Sequence, residues 1–593
     1  MSFYKSLTVG LAMAALAMTK VGAQPISGVH DPLTLNPAWT LTDFHPTSWV
    51  PQLVDMAMLP DGRLAVLDMK VEAENTTGTP KPTGTLYIVG NLSAATNEGL
   101  TVETVATNLL EPTGIVAAAG KIYITEKIKI TELTLNAPGT PATARKIADI
   151  PVDPLGLANF QEWAYGLLYK DGYLYTALGG GVRLGGLSWI ADTTKIREPK
   201  RAGLLKVKIA DGTSELIAGG FRAPNGLSWG PDGTSMWFTD NQGSFLPSCK
   251  LVKIQEGKNY GYVNGENKYR GMPETPPNVW YPHNEIAHST SHPLFVKHGQ
   301  FAGQVLIGDI AMGGISRTAL ETVDGQIQGS VHSFGGAFAV GIQKMIELDD
   351  GSIILGGLGK GDVQNWGWKG KIEGIQKMVA KAGVTNFEMF AVHAMKGGLE
   401  IQFTKPVGTG ADVAASYLVN TAVMTPGPAY GEGNMLSRVP LAVGAVVLSD
   451  DKTRVFLPIA GITAKSVLSI KVTGVTSATG EALYRPAAWY TMNAVGTADF
   501  NKSTALFHGI TAKAADVSAY DIKVRRLGRS LAVGVPFSGS HVLTLRTTQG
   551  RVLESHSGTG VSEYQLGAEG LAPGIYLLDV ATHGQMLHKS VVF

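Results

Sequence analysis

Cysteine is almost absent from this chain. Cys249 stands alone in 593 residues, so no disulfide forms within the chain and its stability has to come from packing. Cys249 has no helix start or base beside it in the sequence and reads as a small structural residue rather than a nucleophile. A surplus of charge is missing too. The 49 Lys and Arg face 48 Asp and Glu for a formal net charge of +1, which excludes the strong positive field of a nucleic-acid binder and the charge excess of a disordered chain. Beyond the first residues no stretch approaches the roughly 18 uninterrupted apolar residues of a membrane span. No G-x-G-x-x-G opens a helix, and phosphate-loop, H-E-x-x-H and C-x-x-C-H patterns are missing. Nucleotide, zinc-protease and haem-attachment readings thereby lose their usual support. The expected partner is a small molecule or a glycan, with no nucleic acid and no membrane span.

What is present begins with MSFYKSLTVGLAMAALAMTKVGAQ: a basic Lys5, an apolar run from Leu7 to Met18, and the small-residue exit Val21-Gly22-Ala23. Residues 1–23 read as a secretory signal peptide, with the mature chain beginning near Gln24. Export through the periplasm to the medium or the cell surface is the expected destination. Cys249 is far from that cleavage point, which argues against an N-terminal lipid anchor.

A turn then recurs. PDGRLAVLDM, AGKIYITEK, KDGYLYTALGG, PDGTSMWFTDN, AGQVLIGDI and DDGSIILGGL each place a glycine (Gly62, Gly120, Gly172, Gly233, Gly303, Gly351) directly before an apolar strand. A hairpin turn needing positive φ has this form. Six copies spaced about 50 to 70 residues apart match the period of a four-stranded propeller blade with loops. The fold class is therefore all-β: a six-bladed β-propeller over 30–382. A β-sandwich over 384–495 follows, from the short strands in EIQFTKP, RVFLPIA, SVLSIKV and AAWYTMN. An alanine-rich linker over 496–518 leads to a small C-terminal β-sandwich over 519–593.

Several polar residues are not explained by turns. Arg222 and Asn225 precede the strands of the fourth turn, and Asp240, Asn241 and Gln242 follow them. Loops at one end of the blades face the mouth of the central channel, where polar groups from several blades converge on a ligand. Asp309 ends an equivalent strand and joins this set. Asn225 also suits a plain turn, whereas three consecutive hydrogen-bonding side chains are costly to bury unpaired. Gln161 and Glu162 precede the third turn; Glu162 reads as a base, a metal ligand or a solvated carboxylate. NVWYPHNEIAHSTSHPLF holds His283, Glu285, His288 and His292, but Pro282 and Pro293 break any shared helical face, so a hydrogen-bonded loop is expected rather than a metal site.

GFRAPNGLSWGPDGTSMWFTDNQGS followed by CKLVKIQEGKNYGY resembles the soluble quinoprotein glucose/sorbosone dehydrogenase propellers. The chain is similar above all to a secreted bacterial branch described as membrane-bound-dehydrogenase-like, through TDNQG, PHNEI, GQVLIGD, QGSV and NWGWKG, over roughly 30–495. That resemblance implies pyrroloquinoline quinone (PQQ) as hydride acceptor, a histidine base, and a glycine loop whose backbone oxygens hold Ca²⁺. Arg222 matches a cofactor-contacting arginine, and Gly243 and Ser244 match the metal loop. Gln161 stands where the histidine is expected, and a glutamine is no general base at neutral pH. Ala223 replaces a polar neighbour, and the acidic residues that usually follow the loop are missing, although calcium takes six to eight oxygens. The ending LAPGIYLLDVATHGQMLHKSVVF resembles type IX secretion sorting domains, which implies the secretion machinery as a partner.

Three functions follow as expectations. One is a quinone-dependent oxidation of a sugar or sugar-derived alcohol, with Glu162 replacing the missing base. Another is a surface propeller that holds a glycan without transforming it. The last is a Ca²⁺-dependent lactonase-like hydrolase that uses Asn225 and Asp240.

Overall fold

Each of the six turn glycines adopts positive φ: 83° at Gly62, 73° at Gly120, 81° at Gly172, 63° at Gly233, 86° at Gly303 and 77° at Gly351. Each therefore closes the hairpin between the first and second strands of a blade. The computed structural model describes residues 34–70, 81–152, 163–180, 200–263, 267–359 and 372–503 and, with short gaps, 523–592. The expected signal peptide, Gln161 and Glu162, and the NWGWKG segment lie outside the described residues.

The chain opens with β1 (Trp39–Asp43). Blade one is β2 (Leu53–Met58), β3 (Leu64–Met69), β4 (Gly84–Gly90) and β5 (Thr101–Leu109); blade two is β6 (Gly114–Ala118), β7 (Lys121–Thr125), β8 (Lys129–Thr134) and β9 (Thr143–Asp149). Blade three is β10 (Ala164–Lys170), β11 (Tyr173–Leu178), β12 (Gly203–Lys208) and β13 (Ser214–Gly219). Blade four is β14 (Gly226–Trp229), β15 (Met236–Asp240), β16 (Cys249–Lys253) and β17 (Val279–Tyr281). Blade five is β18 (Thr290–Phe295), β19 (Val305–Asp309), β20 (Ile315–Val323) and β21 (Gln326–Gly335). Blade six combines β22 (Lys344–Glu347), β23 (Ile353–Leu358) and β24 (Glu373–Ala380) with β1 as its outermost strand, in register from Trp39↔Ala380 to Asp43↔Gln376. The innermost strands β2, β6, β10, β14, β18 and β22 touch in cyclic order, β22 meeting β2. This closes the ring without a disulfide. Glycine permits the close approach near the axis: a Cβ on Gly226 would lie 2.5 Å from the Ser291 carbonyl oxygen.

The sandwich is β25 (Met389–Met395), β26 (Gly398–Phe403), β27 (Tyr417–Val423), β28 (Leu436–Leu441), β29 (Val447–Leu448), β30 (Arg454–Pro458), β31 (Ser466–Val472) and β32 (Ala487–Met492). Inward residues such as Leu399, Ile401, Val455, Leu457, Leu468 and Tyr490 form its core. One sheet runs β25-β26-β30-β29; the other, β32-β31-β27-β28, continues blade five because β32 pairs with β21 from Gly329↔Thr491 to His332↔Ala488. Propeller and sandwich thus share one eight-stranded sheet, which covers the outer edge of blade five. Residues beyond the sandwich strands stay attached to it: Arg454 donates to the Asn501 carbonyl at 2.9 Å and the Lys502 carbonyl at 3.0 Å, and Phe500 stacks on Phe456.

A second compact unit, divided from the first between Thr511 and Ala512, holds β33 (Lys523–Leu527), β34 (Ser530–Val535), β35 (Ser540–Thr547), β36 (Val552–Thr559), β37 (Ser562–Gly567), β38 (Ile575–Thr582) and β39 (Gln585–Val592). Its sheets β33-β34-β37 and β36-β35-β38-β39 enclose Leu531, Val533, Leu543, Leu545, Leu566, Leu578 and Val580. Among the described residues no helix is long and apolar enough to cross a membrane.

Candidate functional site

The ends of the second strands and the starts of the innermost strands meet at one mouth of the propeller. There the structure repeats a device. In blade one Asp68 accepts from Gln52 N–H at 2.8 Å, and in blade two Glu126 accepts from Leu110 N–H at 2.6 Å. In blade four Asp240 accepts from the N–H groups of Arg222 at 3.0 Å and Ala223 at 2.7 Å. In blade five Asp309 accepts from His288 at 2.6 Å, Ser289 at 2.9 Å, Ala311 at 2.9 Å and Met312 at 2.7 Å. In all four blades a carboxylate at the end of the second strand clasps the loop that leads into the first. The donors are backbone groups that would otherwise be buried without partners. Asp240 also lies 3.9 Å from the buried Lys250 ammonium, yet burial pushes its carboxyl above the ordinary aspartate range.

The remaining residues expected at the mouth fall into one hydrogen-bonded cluster. Asn241 donates to Ser289 Oγ at 3.1 Å and accepts from Thr290 Oγ1 at 2.9 Å; Gln242 accepts from Cys249 Sγ at 2.9 Å and donates to the Tyr430 hydroxyl at 2.9 Å. Asn225 donates to the Thr290 carbonyl at 3.1 Å and exchanges amide hydrogen bonds with Gln343. Behind it, against the axis, Asp55 binds Lys344 Nζ at 2.7 Å and Ile115 N–H at 3.0 Å, with His292 Nε2 at 3.7 Å. Burial, with Lys344 nearby, lowers the His292 pKa to about 4. The four residues of the histidine stretch separate. His283 and His288 face each other with ring centres 4.8 Å apart, Glu285 binds Arg438 and Trp489, and His292 turns to the axis.

Arg222 differs from the other buried cations described at this mouth. It is 3% exposed, and its Nη1 donates to the Asn241 carbonyl at 3.0 Å. Nε is buried without a partner, and Nη2 makes no hydrogen bond among the described residues. Nε–H and Nη2–H together form the side-on fork that matches a carboxylate. Lys127 by contrast is bound to Glu111, Lys344 to Asp55, and Arg201 to three backbone carbonyls. Gly243 lies against the guanidinium, where a Cβ would come within 2.0 Å of Cζ. Glycine is required there by this contact.

Calcium does not fit the Gly243–Ser244 loop. The Gly243 carbonyl accepts from Gly431 N–H at 3.1 Å, the neighbouring carboxylates of Asp240 and Asp309 hold backbone N–H groups, and no group of three His, Cys, Asp or Glu side chains suited to a metal occurs among the described residues. Asn225 Oδ1 is likewise taken by Gln343, so Asn225 and Asp240 offer no calcium pair. A quinone tricarboxylate needs several cations, and the described residues give it the Arg222 fork alone. The hydrolase pattern G-x-S-x-G, expected to be absent, is spelled by Gly226-Leu227-Ser228-Trp229-Gly230. Ser228 there sits within strand β14 rather than on a turn between strand and helix, so it is no nucleophile elbow.

Tyr430, Gln343, Asp55 and Asp68 are part of this region without having been expected. Asp68 alone carries a local signal, since it stands six residues after its turn glycine, as Glu126 and Asp309 do.

No protein-family model matches the sequence, and no curated protein does. Among solved structures, the chain is similar to a putative oxidoreductase (glucose dehydrogenase) from Thermus thermophilus, at 14% identity over 57% of this chain and 100% of that one, with a TM-score of 0.42. It is also similar to the PQQ-bound aldose sugar dehydrogenase of Streptomyces coelicolor, at 14% identity over 58% and 99% with a TM-score of 0.41. The apo-form soluble aldose sugar dehydrogenase of Escherichia coli follows, at 14% over 58% and 99% with a TM-score of 0.40. These likenesses concern the propeller fold, which the closed ring of six blades establishes independently.

Proposed function

We propose that the protein is a glycan-binding propeller of the sugar-dehydrogenase type, whose channel mouth holds an acidic sugar without oxidising it. The observation that carries this reading is the Arg222 fork: a buried cation whose Nε–H and Nη2–H have no hydrogen-bond partner, and which makes no salt bridge, among the described residues. Burying an arginine this way is costly unless an anion completes it. Among the described residues the carboxylates around it, Asp240 and Asp309, are held by backbone N–H groups, and Gln161 has no basic group to offer; Glu162 lies outside the described residues. Quinone-dependent oxidation is the second reading, favoured because the same fork suits one carboxylate of PQQ. Export through the periplasm with type IX sorting by residues 519–593 completes the proposal; it rests on the N-terminal signal pattern and the L-x-P-G-x-Y motif.

Calorimetry of the purified chain with glucuronate, galacturonate, glucose and PQQ, alongside dye reduction with PQQ, tests the reading. Binding of a uronate but not glucose, without dye reduction and weakened about tenfold or more in Arg222→Gln, is the expected result. Dye reduction with PQQ would replace it by the dehydrogenase reading. Uronate binding undiminished in Arg222→Gln, or no binding at all, would overturn it.

A further inference from the structure

The mouth is not built by the propeller alone. The connection from β27 to β28, residues 424–435, leaves the sandwich and lies between two propeller loops. Phe245 N–H donates to the Gly427 carbonyl at 2.8 Å and Gly431 N–H to the Gly243 carbonyl at 3.1 Å, while His283 N–H donates to Asn434 Oδ1 at 3.2 Å and Asn434 Nδ2 returns to the His283 carbonyl at 3.3 Å. Ala429 N–H donates to Glu432 Oε2 at 2.8 Å, which closes the turn between these anchors. The tip is therefore held from both flanks.

Tyr430 occupies that tip. Its hydroxyl accepts from Gln242 Nε2 at 2.9 Å, its ring centre lies 5.6 Å from the Arg222 guanidinium carbon, and the His283 ring meets it at 6.1 Å. Nevertheless 49% of the residue remains exposed. A ring fixed at its hydroxyl by a buried amide and set over a cation loses its rotamer freedom before any ligand arrives, so it presents a preorganised apolar face to solvent. The C–H face of a pyranose is the chemistry that matches such a face, and the carboxylate of a uronic acid matches the fork beside it.

The geometry points to Tyr430 as a specificity-determining residue: the sandwich lends an aromatic platform on which the pyranose ring of an acidic sugar stacks while Arg222 takes its carboxylate. This rests on the acidic-sugar reading of the same site. The platform is contributed by a chain segment roughly 190 residues away from the propeller motif it completes.

The test uses the full chain and galacturonate as probe, with Tyr430→Phe, Tyr430→Leu and Arg222→Gln compared by calorimetry and saturation-transfer NMR. Tyr430→Phe, which keeps the π face but gives up the Gln242 hydrogen bond that fixes it, should bind about two- to threefold more weakly and keep transfer from the aromatic envelope to the sugar ring protons. Tyr430→Leu, which fills the same space without a π face, should bind about five- to tenfold more weakly, the worth of one aromatic contact, and lose that transfer. Leucine binding as tightly as tyrosine, or transfer unchanged in Tyr430→Leu, would overturn the platform while the loss in Arg222→Gln left the acidic-sugar reading standing. Failure of wild type to bind any uronate would instead remove that reading, and the platform with it.

Discussion

Asp240 and Arg222 are neighbours in space with opposite duties. Asp240 holds two backbone N–H groups and faces Lys250, itself buried and donating to the Tyr260 carbonyl. Replacing it with alanine leaves two N–H groups without their acceptor and the Lys250 ammonium without its counter-charge. Asp240→Ala should therefore lower stability by about 3–5 kcal/mol, read from the urea midpoint, whereas Arg222→Gln should shift that midpoint by less than about 1 kcal/mol, since Arg222 makes no salt bridge among the described residues. An unchanged midpoint in Asp240→Ala would mean the clasp is decorative. The motif around residue 222 is readable in the sequence because Arg-x-Pro-x-Gly precedes a strand at a fixed distance. The division of labour is not readable, because a carboxylate that binds ligand and one that binds backbone look alike until their donors are seen. The same limit hides Tyr430, a residue of the sandwich whose partners Gln242 and Arg222 lie in loops of blade four rather than in its own neighbourhood.

At the scale of elements, the turn glycines and alternating strands fix the blades, since positive φ and apolar periodicity are local properties. The joint between propeller and sandwich is not local. It depends on β21 having an edge that β32 pairs with, and on Arg317 of β20, which is fully buried. That guanidinium donates to the Phe390 carbonyl at 2.6 Å and the Met389 carbonyl at 2.7 Å, pairs with Glu388 at 3.1 Å, and lies over the Phe301 ring. It ties blade five to the first strand of the sandwich's other sheet. Arg317→Ala strands Glu388 in an apolar setting and should cost about 3–5 kcal/mol; Arg317→Met with Glu388→Gln, which removes both charges and retains volume, should recover most of that loss in the same denaturation experiment. A double variant as unstable as the single one would show that the backbone carbonyls, rather than the ion pair, dominate.

The whole molecule consists of two units, and all ten tryptophans precede the division at Thr511/Ala512, so tryptophan fluorescence follows the first unit by itself. Residues up to Ser503 are bonded to the sandwich, so limited proteolysis should cut first within 504–518; a stable fragment spanning that range would contradict the division. The first unit's response to acid depends on groups of opposite sign. Burial lowers the pKa of His283 and His292 to about 4 from 6.5, so between those values the unfolded chain takes up protons that the folded chain refuses, and stability falls as pH falls. Burial raises Asp68 to about 6 from 3.8; its contribution is fully present below the unfolded value and is lost as pH rises through 6. Burial also lowers the pKa of His332 and raises those of Asp240 and Glu388, so the acid response of the whole unit is a sum of opposed groups and the fluorescence-detected urea midpoint of a single-residue variant is the decisive measurement. Asp68→Asn separates the terms. The amide still accepts from Gln52 N–H but carries no charge, so the variant should exceed wild type at pH 7.5 by up to about 3 kcal/mol, a gap of about two pKa units, and match it near pH 4. A variant less stable than wild type by the same amount at both pH values would mean that Asp68 acts through packing, with its raised pKa irrelevant to the fold.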